Sequence, residues 1–173
     1  MKPQVHHIAI VVPEIEAALG LWRDLLGLPL AAQEHVPGQQ STVAFLEAGE
    51  CQIELVRPDA ADTGVARFLA ARGPGLHHIA LQVSGLDALL ARLRAAGVRL
   101  VDETPIVAAG GRRAAFIHPH SANGVLVELY ELPIGSVAAA GIARPACCLY
   151  ARRIARRPLV DLPACLCYLC MPA

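Results

Sequence analysis

VHHIAIVV at residues 5–12 returns as LHHIALQV at residues 76–83, and the reading of this pair decides the fold. The offset is 71 positions, so His6, His7, Ile8 and Ala9 match His77, His78, Ile79 and Ala80. The same offset carries Ile15 to Leu86, Ala18 to Leu89, Leu19 to Leu90, Trp22 to Leu93 and Arg23 to Arg94. It also carries the AFL of residues 44–46 to the AFI of residues 115–117. A chain built twice tends to assemble its working site between the halves. The duplicated polar residue here is histidine, a common metal ligand.

Each copy is followed by the same succession of patterns. In the first unit, Pro13 opens a helix, where a missing N–H does no harm. Ile15, Ala18, Leu19, Trp22, Leu25 and Leu26 recur at helical spacing and predict one apolar stripe, ended by Gly27 and Pro29. Strand-like runs follow near residues 30–36, 42–47 and 51–56, separated by Pro37-Gly38 and Gly49-Glu50. A short helix or linker at 64–72 leads to Gly73-Pro74-Gly75. The second unit has a strand at 76–83 and a helix at 86–96 with Leu86, Leu89, Leu90 and Leu93 on one face. Strands are expected near 98–101, 112–117 and 124–131. The chain therefore reads as α+β, with two tandem βαβββ modules at about 4–72 and 73–133. Turns this short imply mostly antiparallel pairing.

A length of 173 residues, 55% of them hydrophobic, suits one globular domain or two half-domains sharing a core. Residues 1–133 carry 10 Lys/Arg against 14 Asp/Glu, a net of −4, and residues 134–173 carry a net of +4. Neither part is basic enough to suggest nucleic acid. Of the six cysteines only Cys51 lies in the repeat; Cys147, Cys148, Cys165, Cys167 and Cys170 crowd the last forty residues. That distribution does not suit a disulfide scaffold and predicts a reducing, cytoplasmic setting. The first strand starts by about Gln4, leaving no room for a signal peptide, and no stretch reaches the ~20 apolar residues of a spanning helix. The tail at 134–173, with Arg152-Arg153 and Arg156-Arg157, has no counterpart in either repeat. Its Cys165-x-Cys167-x-x-Cys170 lacks a second half at zinc spacing.

Alternation along a strand separates neighbouring side chains. His7 should share a face with Ala9 and Val11, and His78 with Ala80 and Gln82, a face with room and polarity. His6 and His77 should share the bulky aliphatic face that packs on the helices. Two strands also carry a carboxylate within an apolar run: Glu54 in QIELV and Glu128 in VLVELY. Lone buried carboxylates are costly unless paired or metal-bound. His7, Glu54, His78 and Glu128, one of each type from each half, would make a four-ligand N/O site. Co²⁺, Mn²⁺, Ni²⁺, Zn²⁺ or Mg²⁺ suits such donors. His35, His118 and His120 are expected at the surface.

VHHIAIVVP, QIELVRP, GPGLHHIALQV and GGRRAAFIHPHSANGVLVEL, in that order, resemble the methylmalonyl-CoA epimerases of the vicinal oxygen chelate (glyoxalase-like) superfamily. The resemblance covers about residues 4–132. It implies an open, cup-shaped mixed β-sheet with helices outside, holding one divalent metal ion on His7, Glu54, His78 and Glu128, with cobalt favoured, in a homodimer. The implied reaction interconverts (R)- and (S)-methylmalonyl-CoA by removing the C2 proton and returning it to the other face through a metal-stabilised enolate. Glu128 is the candidate base. Some relatives place a second glutamate at a position that falls on Val43 here, and Val43 cannot move a proton. Either another group, such as Glu47 or a metal-bound water, then serves the second face, or catalysis is altered. Ser121 is a candidate for the substrate carboxylate, although a turn serine more commonly caps its own loop. Arg112 and Arg113 are candidates for the CoA phosphates. The same cup could instead serve a glyoxalase-type isomerase or lyase, or a metal-free small-molecule binding protein. No membrane or nucleic-acid partner is implied.

Overall fold

Strands β1 (Gln4–Val11) and β5 (Gly75–Val83) pair antiparallel, so the two copies of the repeated motif are bonded to each other. The computed structural model describes residues 3–131; the tail at 134–173, with its cysteines and paired arginines, lies outside them. After β1 come helix α1 (Ile15–Leu19), β2 (Leu30–Val36), β3 (Ser41–Ala48), β4 (Cys51–Pro58) and helix α2 (Gly64–Arg72). After β5 come helix α3 (Leu86–Ala95), β6 (Ile106–Val107), β7 (Arg113–Ile117) and β8 (Leu126–Glu131). The sheet order is β2-β3-β4-β1-β5-β8-β7-β6, which mirrors itself about the β1–β5 pair. β4 lies parallel to β1 and β8 parallel to β5, while the other pairs are antiparallel. Each module thus closes on its own first strand by a crossover through the helix and two outer strands. The ends of the sheet curl toward each other, and the Gly110 N–H donates to the Glu34 carboxylate of β2 at 3.1 Å.

The helix-bearing face holds two equivalent cores. Val12, Ile15, Leu19, Ala44, Leu46 and Leu55 form one; Val83, Leu86, Leu90, Ala115 and Leu129 form the other. The 71-residue offset maps Val12, Ile15, Leu19 and Ala44 onto Val83, Leu86, Leu90 and Ala115. Leu19 and Leu90 are 0% and 1% exposed, and burying each contributes about 1.5–3 kcal/mol. On the concave face, Ala9, Val11, Val36, Val43, Phe45, Val56 and Ala109 pack together under Val65, Phe68 and Leu69 of α2. The Thr63 hydroxyl starts α2 by accepting the Ala66 N–H at 3.0 Å.

Two expectations fail for local reasons. The apolar stripe of the first helix does not reach Leu25 and Leu26, which are 80% and 56% exposed. From Gly20 the backbone widens into a π-helical stretch, Gly20–Leu25, and the Leu26 N–H bonds the Leu21 carbonyl. The wider turn rotates the last leucines out of the stripe. The strand expected near 98–101 amounts to a bridge from Leu100 to Ile117, and the paired segment is instead Ile106–Val107. Pro105, with no N–H to give to a ladder, stands between them.

Candidate metal centre

In the β1–β5 ladder His7 lies opposite Ala80 and Ala9 opposite His78. Each histidine therefore faces a methyl group, and the two rings meet diagonally with their Nε2 atoms 3.3 Å apart. Glu54 enters from β4 beside Ala9, and Glu128 enters from β8 beside Ala80. The next strand out supplies Phe45 opposite Glu54 and Phe116 opposite Glu128. Phe45 meets His7 edge-on at 5.6 Å, and Phe116 meets His78 edge-on at 5.5 Å. The repeated AFL/AFI was legible in the sequence, yet its role as an aromatic wall behind each imidazole was not.

The four polar groups converge. His7 Nε2 lies 3.3 Å from Glu54 and 3.1 Å from Glu128; His78 Nε2 lies 3.7 Å and 3.1 Å from the same carboxylates. His7, Glu54 and His78 offer donor atoms that all lie within 4.8 Å of one another. Glu128 adds its carboxylate through the 3.1 Å contacts to both imidazoles. Nitrogen and oxygen donors bonded to one cation at about 2.0–2.2 Å stand roughly 3–3.5 Å apart, the spacing these groups have. All four are at most 6% exposed. Two buried carboxylates with only imidazoles for company form a negative hollow that a dication would neutralise.

The electrostatics of the ion-free cluster agree. Burial disfavours a charged His7, but hydrogen bonds to Glu128 and Glu54 outweigh it and raise its pKa to about 9. Burial would raise the Glu128 carboxyl, yet hydrogen bonds from His7 and His78 win and lower it to about 2. The proton on His7 thus does in this cluster what a cation would do: it favours an ionised Glu128 inside the protein.

His6 and His77 are not where alternation predicts. The ladder advances two residues in β1, Val5 to His7, against one in β5, which leaves His6 as the extra residue. It advances two residues in β5 between the partners of Ala9 and Ile10, which leaves His77 as the extra residue. A β-bulge of this kind re-aims a side chain. His6 consequently stacks on Tyr130 of β8 at 4.5 Å, and His77 meets Phe68 of α2 at 4.9 Å. Burial first, then repulsion from the adjacent histidine, lowers the pKa of both to about 4.

A cleft of about 920 Å³ reaches Glu54 and His78, bounded by Val56, Phe116, Leu126, Ile106 and, from α2, Arg67, Phe68 and Arg72. Its size suits a small-molecule ligand. Arg112 and Arg113 do not line it. The Arg112 guanidinium lies 5.7 Å from the Tyr130 ring, and Arg113 bonds Asp87 and Glu131 on the helix-bearing face. The arginines at the cleft are Arg67 and Arg72, on a segment whose sequence gave no sign of a binding role. The Ser121 hydroxyl accepts the Arg99 N–H at 3.0 Å within a 3₁₀ turn. Val43 is 1% exposed on the concave face, and Glu34 stands opposite it in β2. Glu47, two residues beyond Phe45, is exposed.

Residues 6–116 match the model of the glyoxalase/bleomycin resistance protein/dioxygenase superfamily. The chain is 42% identical over 128 residues to the uncharacterized protein YqjC of Bacillus subtilis, covering 74% of this chain and 91% of that one. It is 36% identical to the ethylmalonyl-CoA/methylmalonyl-CoA epimerase of Cereibacter sphaeroides, covering 76% and 100%. Among solved structures, methylmalonyl-CoA epimerase from Mycobacterium tuberculosis superposes with a TM-score of 0.71 at 39% identity, over 75% of this chain and 89% of that one.

Proposed function

The chain belongs to the methylmalonyl-CoA epimerase family of the glyoxalase/bleomycin resistance protein/dioxygenase superfamily, and from that premise we propose that it interconverts (R)- and (S)-methylmalonyl-CoA with a divalent metal ion held by His7, Glu54, His78 and Glu128. The observation that carries this reading is the convergence of those four buried side chains at 3.1–3.7 Å, two from each module. When bound, the ion would supply Lewis-acid stabilisation of the charge that builds on the substrate oxygens.

The chain's own residues do the rest. Glu128 is the base for one face of C2: its buried carboxylate, held at 3.1 Å by His7 and His78, is the acceptor for the proton. Val43 holds no proton, so the opposite face falls to water in the cleft or to Glu47. Phe45 and Phe116 fix the imidazole planes and keep bulk water from their edges. Arg67 and Arg72, at the cleft, meet the CoA phosphates through charge-assisted bonds, in place of the expected Arg112 and Arg113. Ser121 keeps its hydroxyl proton for a substrate carboxylate while its oxygen serves Arg99. Cobalt as the native ion, a homodimeric assembly, a cytoplasmic setting and a working unit of residues 1–133 belong to the same proposal. Among the described residues no helix is long and apolar enough to cross a membrane.

The test is racemic methylmalonyl-CoA in D₂O. Deuterium enters C2 as the isomers interconvert. Absence of exchange, alongside turnover of a glutathione hemithioacetal, would move the activity to glyoxalase chemistry.

A further inference from the structure

His6 and His77 share a feature that metal ligation alone does not require. His6 Nδ1 lies 2.9 Å from His7 Nδ1, and His77 Nδ1 lies 2.9 Å from His78 Nδ1. The ring pairs are edge-on in both cases, at 80° and 71°. Adjacent residues of a regular strand cannot make such a contact, because their side chains leave on opposite faces. A bulge at each site makes it, and the two bulges fall in different strands at equivalent positions. Their surroundings differ, Tyr130 around His6 and Phe68 around His77, yet the contact is the same. Packing against a common neighbour therefore does not account for it.

The nitrogen chemistry gives the contact a direction. The Nε2 atoms of His7 and His78 point at each other and at the carboxylates. An imidazole that offers the Nε2 lone pair carries its proton on Nδ1. The Nδ1–H of His7 and of His78 then needs an acceptor, and the atom within reach is Nδ1 of the preceding histidine. That histidine must be neutral, with its own proton on Nε2. A carboxylate or carbonyl usually fills this place beside a metal-bound histidine.

We propose that His6 and His77 are positioning residues: each accepts the Nδ1–H of the histidine that follows it and so fixes Nε2 as the donor aimed into the hollow. The His-His dipeptide then works as one unit, a ligand and its tautomer lock, and the bulge is what allows two neighbours to form it. This rests on the metal reading above and adds the tautomer lock to it.

The test is Co²⁺ affinity, read by titration, in the full chain and in His77→Leu, His77→Asn and His6→Leu. Removing the acceptor in His77→Leu or His6→Leu weakens Co²⁺ binding by about 10–100-fold, the usual effect of losing such a partner. His77→Asn, whose side-chain oxygen still accepts, restores most of that loss. In the Zn²⁺-loaded protein, long-range ¹H–¹⁵N spectra place the proton of His7 and His78 on Nδ1 and that of His6 and His77 on Nε2. Unchanged affinity in both leucine variants, equal weakening in His77→Asn and His77→Leu, or an Nδ1 proton on His6 or His77 would overturn the proposal while leaving the metal reading in place. Failure of the unaltered chain to bind any divalent ion would overturn both.

Discussion

The two modules are alike at the centre and unlike at the periphery. His7 and His78, Glu54 and Glu128, Phe45 and Phe116, and the bulged His6 and His77 form matched pairs about the β1–β5 ladder. Farther out on the concave face the match ends. Val56 of β4, opposite Val43, lines the cleft, while its counterpart Tyr130 of β8, opposite Ala114, stacks on His6 and bonds the Ala109 carbonyl at 2.7 Å. The cleft is lined by β4, α2 and the start of β5 on one side and by Ile106, Phe116 and Leu126 on the other, and it touches Glu54 and His78 but not His7. Duplication supplies what holds an ion, which needs equivalent donors from several sides. Divergence supplies what receives a substrate, which must enter from one side.

The comparison breaks most visibly at the ligands. His7→Ala and His78→Ala should each abolish stoichiometric Co²⁺ binding and epimerisation together, as measured by metal content and by coupled turnover. A variant that stays fully loaded would show that the halves do not contribute equally. Glu54→Gln and Glu128→Gln should then separate the equivalent carboxylates by function. Glu54→Gln keeps an oxygen donor and much of the rate. Glu128→Gln removes the base and lowers kcat by about 10²–10⁴-fold. Equal kcat losses would contradict the assignment of the base to Glu128.

Stability sharpens the same comparison on the other face of the sheet. Leu19→Ala and Leu90→Ala, fully buried equivalents, should each cost about 2–5 kcal/mol in denaturant unfolding. Leu25→Ala, on the exposed π-helical turn, should stay within about 0.5 kcal/mol. A large loss at Leu25 would mean that this surface is covered in solution.

The pH dependence of the ion-free protein follows from the central cluster. His7 holds its proton up to about 9 when folded, against an ordinary value of 6.5. Its contribution to stability is therefore complete below pH 6.5 and disappears as the pH rises through about 9. Glu128 is depressed to about 2 from 4.5, so its contribution is complete above pH 4.5 and fades as the pH falls through about 2. His6 and His77, held at about 4 when folded against an ordinary 6.5, act in the opposite sense and cost stability as the pH falls below 6.5. Thermal unfolding of the ion-free protein should thus be most resistant near pH 6.5, weakening toward pH 9 through His7 and toward pH 4.5 through His6 and His77. Co²⁺ should release protons on binding at neutral pH and remove the alkaline loss. The smallest expected effect is that of truncation after Pro133, which should leave epimerisation unchanged.

Most of the centre was legible because repetition marks it. His7, Glu54, His78 and Glu128 each recur at matching places in matching strands, and alternation puts His7 and His78 on the face with Ala9 and Ala80, where the structure has them buried together. The same rule misplaced His6 and His77, since a bulge adds one residue without a glycine or proline to announce it. The doubling of histidine in both copies was the available signal. Helical spacing likewise ran past Gly20, where the backbone widens with no change in the apolar pattern. The cleft was the least legible part: Arg67, Phe68 and Arg72 belong to a helix with no counterpart among the described residues, so no comparison within the sequence singled them out.

One crystal decides the central point. Grown with Co²⁺ and measured at the cobalt absorption edge, it should show one strong anomalous peak per chain, bonded at about 2.0–2.2 Å to Nε2 of His7, Nε2 of His78 and oxygens of Glu54 and Glu128. No peak within the cluster, or a peak held by residues of one module alone, would contradict the claim that the two halves grip one shared ion.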